Sequence, residues 1–293
     1  MAANRVYFAS HGLAIDGSTV QGAQSVGISM TFNTLQAFQL GTLSIYDNIV
    51  TDGEVTISAT KNLDGSALMF AGGNVGDYGT TTYEITVASQ DDEEGLDGTG
   101  ATSTTITGAF LSSLGYNFPL DGWCTEEISW IADNKQVGTS GISAPSSTTG
   151  TAAFRHHVSW DGVHSGDNVT NISVNTDFAR EALFKLGQFN PYYRFANFPI
   201  EITVEFTVNN YEIDQTSLDL TQESCTGTNF GKTDISVYVC DANDSSATAK
   251  YTVTASGCVL SSVNQEGGGT DGGNATTTYT YTTYNDLFVT TAA

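Results

Sequence analysis

The side chains best suited to chemistry are His156, His157 and His164, with Asp161 and Asp167 close by in the chain. Imidazole and carboxylate together suit metal binding or proton transfer. Neighbouring histidines on a strand point to opposite faces, so His156 and His157 do not share a metal there. The run Asp91-Asp92-Glu93-Glu94, with Asp97, has the charge for calcium. It lacks the alternate-position ligands and the distal glutamate of a calcium-binding loop, and reads as a solvated acidic loop. Glu201 and Glu205 fall on one face of a strand, where four residues separate them by roughly 13 Å. Paired glycosidase carboxylates stand about 5–9.5 Å apart, so these two are not such a pair.

Cys124, Cys225, Cys240 and Cys258 have gaps of 101, 15 and 18 residues, which match no zinc pattern. They read as small buried side chains, with a disulfide inside the C-terminal trio as the alternative. The sequence contains no nucleophile elbow, phosphate-binding loop, paired-histidine zinc motif or dinucleotide fingerprint. The expectation is a protein that is not an enzyme and takes no cofactor or metal.

The elements that would position these residues read as strands. In Ile200-Glu201-Ile202-Thr203-Val204-Glu205-Phe206-Thr207-Val208 the even positions are apolar and the odd ones acid or threonine. The same alternation marks Val55-Ile57-Ala59, Tyr83-Ile85-Val87, Ile235-Val237-Val239, Tyr251-Val253-Ala255 and Tyr279-Tyr281. Asp52-Gly53, Asp64-Gly65, Asp121-Gly122 and Asp161-Gly162 read as turns between strands. One stretch breaks the pattern: residues 176–187 read as a helix of about three turns. Thr176 would cap it, Asp177, Glu181 and Lys185 would suit its dipole, and Gly187 would end it. The fold expected is all-β, an antiparallel sandwich or distorted barrel with one flanking helix and long loops. Residues 1–293 read as one domain, elaborated at loops 88–105 and 138–151.

Composition agrees. The chain has 293 residues, 42 of them threonine, with 39% apolar and 14% charged side chains. It carries 32 acids against nine bases, a net charge of −23, and residues 62–134 hold no base at all. Such a surface repels phosphates, which argues against nucleic-acid binding and against docking to acidic membranes. No apolar run approaches the length of a membrane helix, and the N-terminal residues do not read as a secretory signal.

Four stretches carry a family resemblance. They are residues 111–135 (LSSLGYNFPLDGWCTEEISWIADNK), 187–206 (GQFNPYYRFANFPIEITVEF), 267–287 (GGGTDGGNATTTYTYTTYNDL) and, more weakly, 38–48 (FQLGTLSIYDN). Together, and in this order, they resemble tail tube proteins of tailed bacteriophages, especially aquatic, cyanophage-like ones. Trp123-Cys124 departs from the smaller polar residues of the family, and loop 88–105 is particular to this chain.

The resemblance implies a virion structural protein: homohexameric rings stacked into a tube that conducts genome DNA without binding it specifically. Its partners would be further copies of itself and other phage tail proteins, with assembly in the host cytoplasm. Six copies at −23 each carry −138 in a ring, a wall that repels DNA. The strict alternation in 200–208 makes Glu201, Thr203, Glu205 and Thr207 the candidates for the lumen face. Asp91, Asp92, Glu93, Glu94, Ser146 and Ser147, in the two long loops, are the candidates for contact with neighbouring subunits. The alternatives are another virion protein (capsid decoration or fibre) and a carbohydrate-binding β-sandwich that stacks sugars on Trp123, Trp130 and Trp160.

Overall fold

Alternating apolar and hydroxyl side chains, with few strong helix formers, leave the chain little option but to pair as strands. The computed structural model describes residues 11–70, 72–89, 102–138, 142–145, 151–209, 231–240, 249–267 and 275–291. In chain order the strands among them are β1 (His11–Ile15), β2 (Ser18–Thr19), β3 (Ala23–Phe38), β4 (Ile45–Asn62), β5 (Gly73–Asn74), β6 (Thr82–Ser89), β7 (Thr102–Pro119), β8 (Thr125–Ala132) and β9 (Gln136–Gly138). There follow β10 (Val158–Asp161), β11 (Val169–Asp177), β12 (Arg180–Leu183), β13 (Tyr193–Ala196), β14 (Glu201–Asn209), β15 (Thr233–Cys240), β16 (Ala249–Glu266), β17 (Thr276–Tyr284) and β18 (Leu287–Thr291). The fold is all-β, and the pairings are antiparallel. No helix among the described residues is long and apolar enough to cross a membrane.

A broad layer runs β3-β4-β8-β7-β11-β14-β17-β16. A second layer runs β10-β15-β16-β18-β5. Long β16 belongs to both: its first half pairs with β15 and β18, and residues 259–266 pair with β17. β7 bends likewise, pairing with β6 through its first half and with β8 and β11 through its second. The broad layer ends at β3, so the barrel closure offered as an alternative does not occur.

Between the layers lies the core. Ile202, Val204 and Phe206 of β14 are each 0% exposed, and they share one cluster with Val237, Val253 and Val289 of the second layer. Burying each such side chain contributes about 1.5–3 kcal/mol. The strand segments expected at 55–59, 83–87, 200–208, 235–239, 251–255 and 279–281 all form.

Part of the buried interior is polar. Lys61 and Glu126 face each other across β4 and β8, and both are fully buried. Lys61 Nζ donates to the Gln21 carbonyl at 2.6 Å, to Asp64 Oδ1 at 3.3 Å and to Ser66 Oγ. Glu126 accepts from the backbone N–H of Met69 at 2.7 Å, of Phe70 at 3.1 Å and from the Tyr116 hydroxyl at 3.1 Å. Burial pushes the Glu126 carboxyl up and the Lys61 amine down. For Asp64 burial acts upward too, but hydrogen bonds from Ser66 and the charge of Lys61 outweigh it and hold the group low. These bonds fasten residues 64–70 to β4 and β8.

The helix expected at 176–187 is not formed. Thr176 and Asp177 complete β11, Ala179 turns with φ of +39°, and β12 pairs with β13 as a separate two-stranded arm. The reason is tertiary. Phe178 is buried in the core, and Arg180 donates through Nε to the Leu111 carbonyl at 2.8 Å and through Nη1 to the Gly79 carbonyl. Those contacts need an extended chain, and they outweigh a modest helix propensity. Asp52-Gly53 is not a turn either but lies inside β4. The Phe32 ring lies across Gly53, where an added Cβ would meet it at 3.2 Å. His156 and His157 stand in a short 3-10 turn, not on a strand, with ring centroids 3.9 Å apart.

Candidate functional site

The broad layer has one face on the core and one outside it, and register sets what the outer face displays. One row across six strands reads Ser58, Ser129, Ser113, Asp177, Glu201, Tyr284. The next reads Thr60, Glu127, Gly115, Asn175, Thr203, Thr282, and the third Asn62, Thr125, Asn117, Ser173, Glu205, Thr280. Hydroxyls and amides dominate. The charged groups in these rows are all acids: Glu127, Asp177, Glu201 and Glu205. Asp177 stands directly opposite Glu201, a like-charge pairing that works against stability.

The face is concave, with a groove of about 700 Å³ whose lining includes Ser113, Gly115, Glu127, Asn175, Glu201 and Thr203. Gly115 deepens it, since a Cβ there would stand 2.8 Å from Asn175 Oδ1. The structure thus brings Glu201, Thr203, Glu205 and Thr207 onto one non-core face, as the alternation in 200–208 requires. Ser173 Oγ donates to Glu205 Oε2 at 3.5 Å, and Thr170 Oγ1 to the Thr207 carbonyl at 3.1 Å.

At β3 and β4 this face leaves the body. Body strand β8 pairs with β4 only as far as Val55. Beyond it, β3 and β4 continue as a two-stranded ribbon paired out to Phe38 and Ile45. Near the body the ribbon is amphipathic. Val26, Ile28, Met30 and Phe32 alternate with Ser25, Gly27, Ser29 and Thr31, which pair with Thr60, Ser58, Thr56 and Glu54 and so extend the hydroxyl face. Farther out neither face is covered: residues 29–51 are all exposed, among them Leu35, Phe38, Leu40, Leu43, Tyr46 and Ile49.

A bulge interrupts the ribbon. Asn33 pairs with Asp52 and Thr34 with Val50, which leaves Thr51 as an extra residue. Thr51 Oγ1 donates to the Asn33 carbonyl at 3.2 Å and to Asp52 Oδ1 at 2.9 Å, and Asn33 Nδ2 donates to Asp52 Oδ2 at 3.0 Å. By alternation, the next pair on the hydroxyl side is Leu35 with Ile49.

The arm of β12 and β13 sits at the root of the ribbon. Buried Arg194 bonds to Asp133 through Nε at 2.8 Å and to Glu54 through Nη1 at 3.0 Å. These acids and hydrogen bonds raise the Arg194 guanidinium against the opposing effect of burial. Toward the arm's end Phe184, Leu186, Phe189 and Tyr192 are exposed, and Lys185 lies over the Tyr192 ring at 5.7 Å.

The other candidates divide. Asp91, Asp92, Glu93, Glu94, Ser146 and Ser147 lie outside the described residues. At the edge of the second loop, Ile142 packs on Ala88 and the Ser143 carbonyl accepts from Thr19 Oγ1 at 3.1 Å, so that part binds its own body. His164 is separate from His156 and His157. Its Nδ1 is 2.8 Å from Asp167 Oδ2 and its Nε2 is 3.0 Å from the Tyr281 hydroxyl, which ties a turn to β17. Cys124, Cys240 and Cys258 are free thiols, and Cys225 lies outside the described residues. Burial pushes the thiols of Cys124 and Cys258 up to about 11 and about 12. Trp130 is fully buried and so presents no face to a sugar; Trp160 is half-buried, and Trp123 is exposed against Phe154.

Sequence reasoning missed the ribbon and the arm. The alternation Val26-Ile28-Met30-Phe32 was a signal for the first, while the arm was hidden behind a helix-like pattern. No protein-family model matches this chain, and no curated protein matches it significantly.

Proposed function

We propose that this chain is the subunit of a bacteriophage tail tube, forming stacked hexameric rings around a DNA conduit, with no catalytic role. The observation that carries the reading is the ribbon of β3 and β4. A long ribbon with apolar side chains bare on both faces is a liability in a lone molecule, and becomes an asset only when copies cover it. Its root continues a hydroxyl and acid face spanning the body, so covering the apolar side with neighbours leaves the polar side free.

In the tube, that polar side faces the channel, with Glu201, Thr203, Glu205 and Thr207 on the wall. The wall offers DNA water-like hydroxyls and negative charge, and no base in the three central rows. Screening confines the repulsion to about 8 Å at physiological salt, so the wall acts only on DNA close to it. The order of the four family-like stretches supports the same reading, and with it a place in the virion beside other tail proteins. Negative-stain microscopy of the purified protein at rising concentration tests it. Hollow tubes or six-fold rings are expected, and discrete monomers at every concentration overturn it.

A further inference from the structure

We propose that the tip of the β3–β4 ribbon of one copy seats on the β12–β13 arm of the next, with Asp47 of the ribbon beside Lys185 of the arm. The inference rests on the tube reading and names the contact that joins its copies.

Reach comes first. Arg194 fixes the arm to Glu54 at the ribbon's root, at 3.0 Å. Asp47 lies seven residues farther along β4, about 23 Å away at the rise of a strand. The two strands of the ribbon are paired out to Phe38 and Ile45, so the tip does not fold back onto its own arm. A bare tip and a bare arm in one copy are therefore matched only between copies, as in a head-to-tail contact.

Charge selects the pairing. Between Asp16 and Asp52 the ribbon carries a single charged residue, Asp47. The arm's one acid, Glu181, stands in β12 beside Arg180; beyond it, residues 182–200 hold no acid, and their two bases are Lys185 and Arg194. Arg194 is buried and already paired with Asp133 and Glu54. Lys185 is exposed, with its ammonium over the Tyr192 ring. On a chain of net −23, most surfaces would meet the tip with like charge; the arm meets it with a cation and exposed aromatic and aliphatic side chains. Phe38, Leu40 and Leu43 on the tip, and Phe184, Leu186 and Phe189 on the arm, supply the apolar contact.

Charge reversal tests the pair. Lys185→Glu and Asp47→Lys are each expected to raise the concentration needed for assembly about tenfold, with Lys185→Glu/Asp47→Lys together restoring it. Both positions are exposed, so the melting temperature of the monomer stays at the unmodified value. If either single variant assembles as the unmodified chain does, or the double variant fails to recover, the contact is refuted while the tube reading stands. If the unmodified chain forms no rings or tubes, both fall. Asp47→Cys/Lys185→Cys, oxidised after assembly, gives a ladder of disulfide-linked multimers if the contact exists; monomer alone refutes it.

Discussion

Phe38→Ser separates assembly from folding. Phe38 is 72% exposed at the end of β3, so the isolated molecule gains little from it. A phenylalanine side chain offers about 200 Å² of surface, of which roughly 140 Å² is therefore available to a neighbour. At about 25 cal/mol per Å², full coverage is worth about 3.5 kcal/mol, and half coverage just under about 2. The variant should raise the subunit concentration needed for assembly between about tenfold and a few hundredfold. Sedimentation velocity over a concentration series reads this directly. The melting temperature of the unassembled chain should barely move, since exposed substitutions shift stability by no more than about 0.5 kcal/mol. Phe206→Ala supplies the contrast: that ring is fully buried, and its loss should cost about 3–5 kcal/mol of stability. Unchanged assembly by Phe38→Ser, or a fall in melting temperature like that of Phe206→Ala, would refute the reasoning.

Glu126 makes a pH prediction. Burial lifts its folded pKa above the ordinary 4.5, so from about that pH upward the folded chain holds a proton that the unfolded chain has lost. The group's contribution to stability falls as pH rises through that window. Glu126→Gln should flatten that slope and cost about 1–3 kcal/mol overall, because one N–H of Met69 or Phe70 loses its acceptor. Urea melts at several pH values check both, and an unchanged slope contradicts the assignment. Gly162→Ala should destabilise by about 1–3 kcal/mol, since φ there is +107° and an added Cβ would stand 2.1 Å from the Asp234 carbonyl; a melting temperature equal to that of the unmodified chain would rule this out. Glu201→Lys with Glu205→Lys should make assembled tubes retain DNA in low salt and release it in high salt. Co-sedimentation that shows no retention argues against a lumen position for β14.

The strands were legible where one face meets the core, because burial enforces a period of two. Ile202, Val204, Phe206 and Val208 show it in sequence and in structure alike. The arm was not legible, because its shape comes from partners far along the chain. Arg180 answers to the carbonyls of Gly79 and Leu111, and Arg194 to Glu54 and Asp133. No local pattern encodes such bonds. Asp52-Gly53 misled for a related reason: the glycine serves an aromatic ring on the facing strand, not a turn. Of the candidate wall, Glu201, Thr203, Glu205 and Thr207 were readable on their own strand. That Ser58, Glu127, Gly115 and Asn175 join them follows only from the register of four strand pairs.

The extra residue Thr51 has a consequence for kinetics. Below it the ribbon's apolar residues Met30 and Phe32 share one side; above it apolar residues stand on both, Leu35 with Ile49 on the opposite side and Phe38 on the side of Met30. In the proposed tube, neighbours that cover the two sides would approach from opposite directions, and one ribbon would be clasped between two of them. A lone pair of copies would then leave one side of each ribbon wet and hold together weakly, whereas a third arrival would secure the first two. Tubes built in this way should begin with a lag, show a sharp threshold concentration and lengthen from existing ends in preference to starting anew.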